Sequence, residues 1–317
     1  MKHVTVVSPC FNEEQNVEEL YLRVVAAMVR CPQYSFDLLF IDNASTDRTV
    51  EVLRRLAAHD RRVRVIVNTR NFGHIRSPVH GILQTDADAV VAIASDLQDP
   101  PELIPDFLAK WEAGYKVVMG VKSQSEESPL FYALRTAYYS TLRRLSDIEL
   151  VQHFTGFGLY DRKVIEILRA IGDPYPYFRG LIADIGFESA RIGYSQSKRR
   201  RGITKNNFYT LFDIAMLGLT NHSKVPLRLA TLVGFVSGAI SFLVGLFYLV
   251  FKLIDWNGFS VGIAPLVVGL FFFASVQLIF LGLIGEYVGS IHTQVLKRPL
   301  VVESERINFG EPLPPAA

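Results

Sequence analysis

The sequence predicts an α/β domain with a mostly parallel sheet and helices on both faces, followed by two C-terminal membrane helices. Short apolar runs alternate with helical patterns through the N-terminal part of the 317-residue chain. Strand–helix alternation at this spacing favours a parallel sheet, and strands buried on both faces have continuous apolar sequences like these. Two long uncharged stretches near the C-terminus predict the membrane helices.

The expected elements follow one another in a regular order. Strands are predicted over residues 4–7, 36–41, 63–67, 89–94 and 117–121. Helices are predicted from their apolar periodicity over residues 17–28, 47–58, 77–85, 101–113 and 161–170. Ligands of such sheets bind beyond the carboxyl ends of the strands. The polar residues that directly follow each strand are therefore the candidate site.

Residues 229–251 and 257–285 contain no charged side chain. Each stretch exceeds the roughly 20 residues needed to cross a bilayer core. Two core helices are the alternative, but two adjacent helices of this kind would need a very large core to cover them. Lys224 and Arg228 precede the first span, and Lys297, Arg298 and Arg306 follow the second. Because positive residues favour the cytoplasmic side, both termini are expected there, at the inner or plasma membrane.

These features divide the chain into six expected parts. They are a cytoplasmic α/β domain (1–206), a juxtamembrane amphipathic segment (207–228), a first span (229–251), a short non-cytoplasmic connector (252–262), a second span (263–285) and a cytoplasmic tail (286–317). Within the tail, residues 299–308 are a candidate strand that would pair with a neighbour.

Composition limits the function classes. The two cysteines, Cys10 and Cys31, lack metal-ligand spacing and fit a reducing compartment. The net charge of +2 provides no general argument for binding nucleic acid. One local basic cluster, Lys198 to Arg201 with Lys205, is the exception. Such a run is usually a solvated face or a contact with anionic lipid.

Five segments carry a family resemblance: Ser8-Pro9-Cys10-Phe11-Asn12-Glu13-Glu14, Ile41-Asp42-Asn43-Ala44-Ser45-Thr46-Asp47, Asn71-Phe72-Gly73-His74, Asp96-Leu97-Gln98-Asp99-Pro100-Pro101 and Arg199-Arg200-Arg201-Gly202-Ile203-Thr204-Lys205. In this order, and followed by two spans, they resemble glycosyltransferase family 2. The nearest branch contains dolichyl-phosphate mannose synthases and bacterial undecaprenyl-phosphate (bactoprenol) glycosyltransferases.

The resemblance implies a GT-A fold, a nucleotide-sugar donor (UDP- or GDP-linked) and Mg²⁺ or Mn²⁺. It also implies inversion at the anomeric carbon, a polyprenyl phosphate acceptor in the lipid bilayer and often a homo-oligomer. A divalent metal held by oxygen ligands would neutralise the leaving diphosphate. Asp96 is the expected catalytic metal ligand and Gln98 the second ligand, with Asp99 as a possible helper. The aspartate that many relatives carry two residues before Asp96 is Ala94 here.

The resemblance also assigns nucleotide and phosphate contacts. Asp47 is expected instead to begin a helix. For His74, contact with a phosphate and simple packing remain equally open. The nucleotide-binding residues would be Pro9, Phe11, Glu13, Asp42, Asn71 and His74. Arg199 and Lys205 would be catalytic and bind phosphate, with Arg135 as a further acceptor contact.

Many relatives carry a candidate catalytic base where this chain has Gly156. A phosphate monoester is largely ionised at neutral pH and can attack without a base. We therefore expect catalysis by positioning and electrostatics, with His153 and Asp161 as weak alternatives. Asp161 is more simply explained as a helix start.

The first choice of reaction is transfer of glucose from UDP-glucose to undecaprenyl phosphate, for modification of a lipopolysaccharide or other cell-envelope glycan. GlcNAc, galactose, mannose and an aminoarabinose derivative remain open as the sugar. A processive synthase is disfavoured because the chain has two spans and its tryptophans, Trp111 and Trp256, lie outside a Gln-x-x-Arg-Trp motif. An inactive membrane scaffold remains the alternative from another class.

Overall fold

The computed structural model describes residues 1–124, 151, 153–196, 216, 225–254 and 263–310. Within them, eight strands form one sheet in the order β7-β5-β6-β4-β1-β2-β3-β8. The strands are β1 (Lys2–Cys10), β2 (Tyr34–Asp42), β3 (Val63–Asn68), β4 (Ala89–Ala92), β5 (Val117–Gln124), β6 (Phe154–Asp161), β7 (Ser189–Ser195) and β8 (Glu303–Ile307). All five predicted strands are present.

The central strands are parallel: β1 pairs with β2 and β4, and β2 pairs with β3. β6 is inserted antiparallel between β4 and β5, while β5 and β7 are parallel. The sheet is therefore mixed. The sequence analysis did not predict β6, because Gly156 and Gly158 interrupt its apolar residues. At Gly158 a Cβ would lie 2.3 Å from the Val118 carbonyl oxygen, so the close pairing with β5 requires glycine.

Helices cover both faces of the sheet, as the sequence predicted. They are α1 (Val17–Val29), α2 (Thr49–His59), α3 (Gly73–Leu83), α4 (Ile104–Glu112), α5 (Arg162–Ile171) and α6 (Phe178–Ile185), with a 3₁₀ turn at Pro101–Leu103. One buried cluster joins the sheet to α1, α2 and α4 through side chains such as Leu20, Leu53 and Phe107. A second cluster joins the other face to α3, α5 and α6 through Ile82, Ile165 and Ile182.

Two long apolar helices follow, α7 (Val225–Ile254) and α8 (Ile263–Leu296). Their segments Val225–Phe247 and Phe272–Leu296 are long and apolar enough to cross a membrane, and neither is buried within the chain. A core helix of this chain would be covered by other elements. The core-helix alternative therefore does not fit the part of the chain that the structure describes.

The strand expected in the tail is present, but its partner is the chain itself. β8 runs antiparallel to β3, with Val65 opposite Ile307. Glu303 on β8 accepts hydrogen bonds from Arg306 and shares a 2.5 Å contact with His80 of α3. Its sequence, ESERI, is mostly polar, which suits a strand at the edge of the sheet.

Candidate active site

The loops after β1 and β2 are tied to each other by hydrogen bonds. The backbone N–H of Asn12 donates to the Ser45 Oγ at 2.9 Å, and the N–H of Thr46 donates to the Asn12 Oδ1 at 2.7 Å. The N–H of Glu13 donates to the Thr49 Oγ1 at 2.8 Å. Asn12 and Ala44 adopt positive φ angles of 59° and 61°. Non-glycine residues with such angles persist where the surrounding contacts enforce them, often at functional sites.

Asp42 is the centre of this pair of loops. Its side chain is fully buried. Oδ1 accepts the backbone N–H of Ser45 at 2.9 Å, and Oδ2 accepts the Ser45 hydroxyl at 2.5 Å. Burial raises the pKa of the Asp42 carboxyl, and the Ser45 hydrogen bonds oppose that shift. In this arrangement Asp42 shapes the loop, and its direct contact with a nucleotide stays a prediction.

Glu13 and Asp47 each accept a hydrogen bond from a residue two or three positions further along the chain. Asn16 donates to the Glu13 Oε2 at 2.5 Å. The Asp47 Oδ1 accepts the backbone N–H of Thr49 at 3.0 Å, directly before α2. This contact at the start of the helix is the one that the sequence pattern favoured for Asp47.

The loop after β3 depends on an asparagine network. Asn43 donates from Nδ2 to the Asn71 Oδ1 at 2.9 Å, and its own Oδ1 accepts the Phe72 N–H at 2.9 Å. The Asn71 Oδ1 also accepts the Gly73 N–H at 2.8 Å. Gly73 has a φ of 84°, which favours glycine. Asn71 thus stabilises the turn that leads into α3, and His74 lies in the first turn of that helix.

Asp96 is positioned by the two residues beside it. Ser95 is buried, and its hydroxyl donates to the Pro9 carbonyl oxygen at 2.9 Å and contacts the Ser8 Oγ at 2.7 Å. Leu97 is also buried and has a φ of 59°. Anchored on both sides, Asp96 stays half-exposed, and its Oδ1 accepts the Gln98 N–H at 3.2 Å.

Asp99 is held separately from Asp96. Its side chain is buried, and the Tyr194 hydroxyl of β7 donates to its Oδ1. Burial raises the pKa of the Asp99 carboxyl, while the Tyr194 hydrogen bond and the charge of Lys122 oppose that shift. The contact joins the β4 loop to the far edge of the sheet.

A cleft of about 400 Å³ opens at this edge of the sheet. Five of the predicted site residues line it: Pro9, His74, Asp96, Gln98 and Asp99. The other described candidates lie outside its lining, namely Phe11, Glu13, Asp42 and Asn71. Arg135, Arg199 and Lys205 lie outside the described residues. The structure therefore places the two expected metal ligands, Asp96 and Gln98, around one volume with Pro9 and His74.

Two cations in the cleft lining were not predicted. Lys122 extends from the end of β5, and Arg179 lies in the first turn of α6. Desolvation in the cleft, followed by the positive charge of Arg179, lowers the pKa of the His74 imidazole. Lys122 directly follows the predicted strand 117–121, so the strand-end rule could have identified it as a site residue. Arg179 follows no predicted strand, so that rule could not have identified it.

Ala94 and Gly156, the two residues that depart from the common family pattern, also line the cleft. Ala94 adds no oxygen ligand beside Asp96. Gly156 has a φ of 104°, a conformation that side-chain-bearing residues rarely adopt. Its carbonyl oxygen accepts the Tyr160 hydroxyl at 2.7 Å. The backbone conformation at this position thus suits glycine and disfavours the aspartate of relatives.

Asp161 does not belong to the cleft. It precedes α5, where its Oδ1 accepts the Lys163 N–H at 3.0 Å. Its Oδ2 accepts from the Trp111 Nε1 at 2.7 Å and the Lys116 Nζ at 3.0 Å. Asp161 is therefore the helix start that the sequence favoured, and its alternative role as a base finds no support in this position.

The donor set fits a metal that is shared with a ligand. Among the described residues, no three His, Cys, Asp or Glu side chains converge on a common point. Asp96 and the amide oxygen of Gln98 nevertheless line the cleft together. Mg²⁺ prefers one or two carboxylates plus phosphate oxygens to an all-protein cage. These two side chains suit a Mg²⁺ or Mn²⁺ ion whose remaining ligands would come from a nucleotide diphosphate.

Comparison with known proteins finds a family match and relatives that align over nearly the whole chain. The sequence profile of Glycosyl transferase family 2 matches residues 5–169. The chain is 34% identical to an uncharacterised glycosyltransferase of Bacillus subtilis, YkcC, with 94% of this chain and 92% of that one covered. It is 31% identical to a prophage-derived bactoprenol glucosyl transferase of Shigella flexneri, with 96% and 99% covered. A solved glucosyl-3-phosphoglycerate synthase from Mycobacterium tuberculosis superposes with a TM-score of 0.47 at 18% identity, over 69% of this chain and 76% of that one.

The mixed sheet with helices on both faces, and the cleft at its strand ends, define a GT-A-like glycosyltransferase. The chain belongs to glycosyl transferase family 2. It is an enzyme that transfers a glycosyl group.

Proposed function

We propose that this enzyme transfers a sugar, glucose as first choice, from a UDP-sugar to undecaprenyl phosphate at the cytoplasmic membrane face. One observation carries the acceptor assignment. Relatives named bactoprenol glucosyl transferase match almost from end to end, including α7 and α8. An acceptor with a long hydrocarbon chain stays in the bilayer, so two spans next to the catalytic domain would keep the enzyme at its substrate.

The proposed donor site uses the cleft and the loops behind it. Asp96 and Gln98 would hold Mg²⁺ or Mn²⁺, and such an ion would supply positive charge that offsets the negative charge of the leaving diphosphate. Pro9 and His74 line the same volume. Phe11, Glu13, Asp42 and Asn71 form or support the loops that receive the base and ribose.

The proposed attack needs no protein base. The nucleophile is an oxygen of the acceptor phosphate monoester, which is largely ionised at neutral pH because its second pKa is about 6. Attack at the anomeric carbon displaces the nucleoside diphosphate with inversion. The glycine conformation at Gly156 is consistent with a site that lacks a carboxylate at this position. Arg199, Lys205 and Arg135 are the proposed acceptor-phosphate contacts from the undescribed segments.

The proposed topology follows the sequence division. The domain of residues 1–206 is cytoplasmic, the segment 207–228 lies at the membrane surface, and the spans are 229–251 and 263–285. The connector 252–262 is non-cytoplasmic, and the tail 286–317 returns to the cytoplasm. The return of β8 to the catalytic sheet supports this arrangement, because the tail and the domain then share one side. A homo-oligomer is part of the same proposal.

The decisive experiment measures transfer from a panel of labelled UDP- and GDP-sugars into undecaprenyl phosphate, with Mg²⁺ or Mn²⁺ in detergent. A single organic-soluble product from UDP-glucose is the expected result. A product from GlcNAc, galactose, mannose or an aminoarabinose donor alone would keep the reaction class and replace the sugar. Nucleotide binding without any product would favour the inactive scaffold.

A further inference from the structure

The cleft at the strand ends is lined mostly by apolar side chains, which the proposed donor chemistry does not use. A diphosphate and its metal ion need charged and polar partners. Many of the apolar side chains belong to α3 and to the segment that leads into α6. Five of them are called the apolar lining below: Ile75, Pro78, Val79, Pro176 and Phe178.

The apolar lining presents hydrocarbon surface that a ligand can cover. Ile75, Pro78 and Phe178 are half-exposed, although they lie beside a cleft. The Phe178 ring is held in place by the Tyr160 ring, with the two centroids 5.1 Å apart. Covering such side chains with apolar groups of a ligand removes both surfaces from water, which favours binding.

Both segments that carry the apolar lining are bonded to the chain at the C-terminal end of α8. The Gln294 Nε2, near the end of that helix, donates to the Asp173 Oδ1 at 2.8 Å, shortly before Pro176. The Arg76 Nη2 of α3 donates to the Pro299 carbonyl oxygen at 2.5 Å, just after α8 ends. The apolar lining therefore lies close to the end of the second membrane-length helix.

The length of α8 indicates how far the cleft stands from the bilayer core. α8 has 34 residues, so it is about 51 Å long, whereas the hydrocarbon core is about 30 Å thick. The uncharged stretch ends at Gly285, and Gln294 lies about 14 Å further along the helix axis. An acceptor whose phosphate reaches the cleft must therefore bring its first isoprenoid carbons out of the bilayer core.

Those carbons need a cover outside the membrane. Each methylene group that stays in water instead of against an apolar surface weakens binding about fourfold. The ligand must also carry a negative charge at one end, and Lys122 and Arg179 line the same cleft. A hydrocarbon chain with an anionic end matches this combination of apolar side chains and cations.

We propose that the first isoprenoid carbons of the acceptor lie on the apolar lining, with the phosphate end among the polar residues of the cleft. This inference rests on the proposed function and deepens it, because it assigns the hydrocarbon of the acceptor to a surface of the described fold. Asp96 and Gln98 remain for the metal ion and the donor diphosphate.

The test compares ligands of different chain length on the detergent-solubilised full chain. Calorimetry measures binding of inorganic phosphate, isopentenyl phosphate, geranyl phosphate and UDP with Mn²⁺. The wild-type chain should bind geranyl phosphate more tightly than isopentenyl phosphate. Ile75→Asn should reduce this affinity ratio by about 4–16-fold, the equivalent of one or two methylene groups. Binding of inorganic phosphate and of UDP should not change.

Two controls are matched to this variant. Ile75→Val keeps an apolar side chain, so it should retain most of the affinity ratio. Ile167→Asn makes the same substitution at an isoleucine of α5 that is 37% exposed, and it should leave the ratio unchanged because Ile167 does not line the cleft. Melting temperatures verify that each variant folds.

A second position separates binding from stability. Pro78 lies inside α3, where a proline lacks the N–H of an intrahelical hydrogen bond. Pro78→Ser should therefore leave the melting temperature equal or higher. The same variant should lower the ratio of geranyl to isopentenyl phosphate affinity by up to about fourfold, since it places a hydroxyl on the apolar lining.

Three outcomes would overturn the inference. They are equal affinity of the wild-type chain for the two isoprenyl phosphates, a wild-type ratio in both Ile75→Asn and Pro78→Ser, and a parallel loss of UDP binding, which would place the apolar lining at the donor. Failure of the proposed function is distinguishable. A chain that shows the expected chain-length dependence but transfers no sugar from any donor retains the inference.

Discussion

Polar residues lie beyond the ends of the strands in two regions of the molecule, and the two regions use them in different ways. After β1, β2 and β3, polar side chains bind other residues of these loops: Asp42 accepts hydrogen bonds from Ser45, and Asn43 donates to Asn71. After β4, and on the facing β5 and α6, Asp96, Lys122 and Arg179 line an open cleft. The first half is a scaffold that fixes loop shape, and the second half presents groups to ligands. Motif residues are therefore not equivalent, although they occupy equivalent positions after strands.

The largest expected effect is on the cleft half. Asp96→Asn should lower the transfer rate by about 100-fold or more, since a metal contributes several kcal/mol to charge stabilisation and each 1.4 kcal/mol is tenfold. Asparagine can still accept the Gln98 N–H, so the melting temperature should change little. Steady-state kinetics at limiting Mn²⁺ provides the measurement. Asp106→Asn, an exposed carboxylate on α4, is the control, and normal turnover by Asp96→Asn would remove Asp96 from the metal site.

The edge of the sheet next to the scaffold half, where β8 pairs with β3, should respond in stability and in pH dependence. Burial would raise the pKa of Glu303, but hydrogen bonds from His80 and Arg306 outweigh it and lower the pKa to about 2, from 4.5. Because the folded pKa is depressed, this stabilisation is complete above about pH 4.5 and is lost as the pH falls toward 2. Glu303→Gln should therefore lower the melting temperature at pH 7 and reduce the difference from wild type at pH 3.

The neighbouring Glu305→Gln supplies the control for this change. Glu305 lies on the same strand and pairs with Arg54, whose side chain is 55% exposed. Exposed ion pairs contribute little, so this variant should melt close to wild type at both pH values. Equal effects of the two variants would mean that the buried cluster adds nothing specific.

A smaller effect is expected at Gly156, where the common residue of relatives can be restored. Both Gly156→Ala and Gly156→Asp should destabilise the fold by about 1–2 kcal/mol, because the φ of 104° strains any side-chain-bearing residue. An added Cβ would meet only the Phe178 ring, at 3.7 Å, so steric clash is not the cause. Denaturant unfolding measures the loss, with Gly193→Ala on β7 as an unstrained control. A faster transfer rate in Gly156→Asp would contradict the base-free mechanism.

The smallest effect should come from Asp42→Asn. Asparagine can still accept the Ser45 N–H, so the change in stability should stay within about 1 kcal/mol. The raised pKa of Asp42 means that its stabilising protonated form is lost as pH rises. The melting temperature of the variant relative to wild type should thus be higher at pH 7 than at pH 4. Asp42→Ala, which removes the acceptor of the Ser45 N–H, should have a lower melting temperature than wild type and Asp42→Asn. A large loss of nucleotide affinity in Asp42→Asn would show instead that Asp42 is a direct ligand of the nucleotide.

Much of this protein could be predicted from its sequence. Apolar periodicity records burial locally, so β1 to β5, the helices between them and the two membrane-length helices were all visible. Position relative to a strand end identified Asp96, Gln98 and His74, which the structure brings to one cleft. The same rule selected Asp42 and Asn71, whose hydrogen-bond partners are residues of the loops themselves.

The tertiary structure decided the rest. The antiparallel insertion of β6, the docking of β8 on β3, and the arrival of Arg179 beside His74 all join residues far apart in the chain. No local pattern encodes such a meeting, because whether a polar side chain faces a ligand or a neighbouring loop depends on long-range packing. The sequence by itself therefore determined the elements and the candidate residues, and the packing of those elements determined which residues face the cleft.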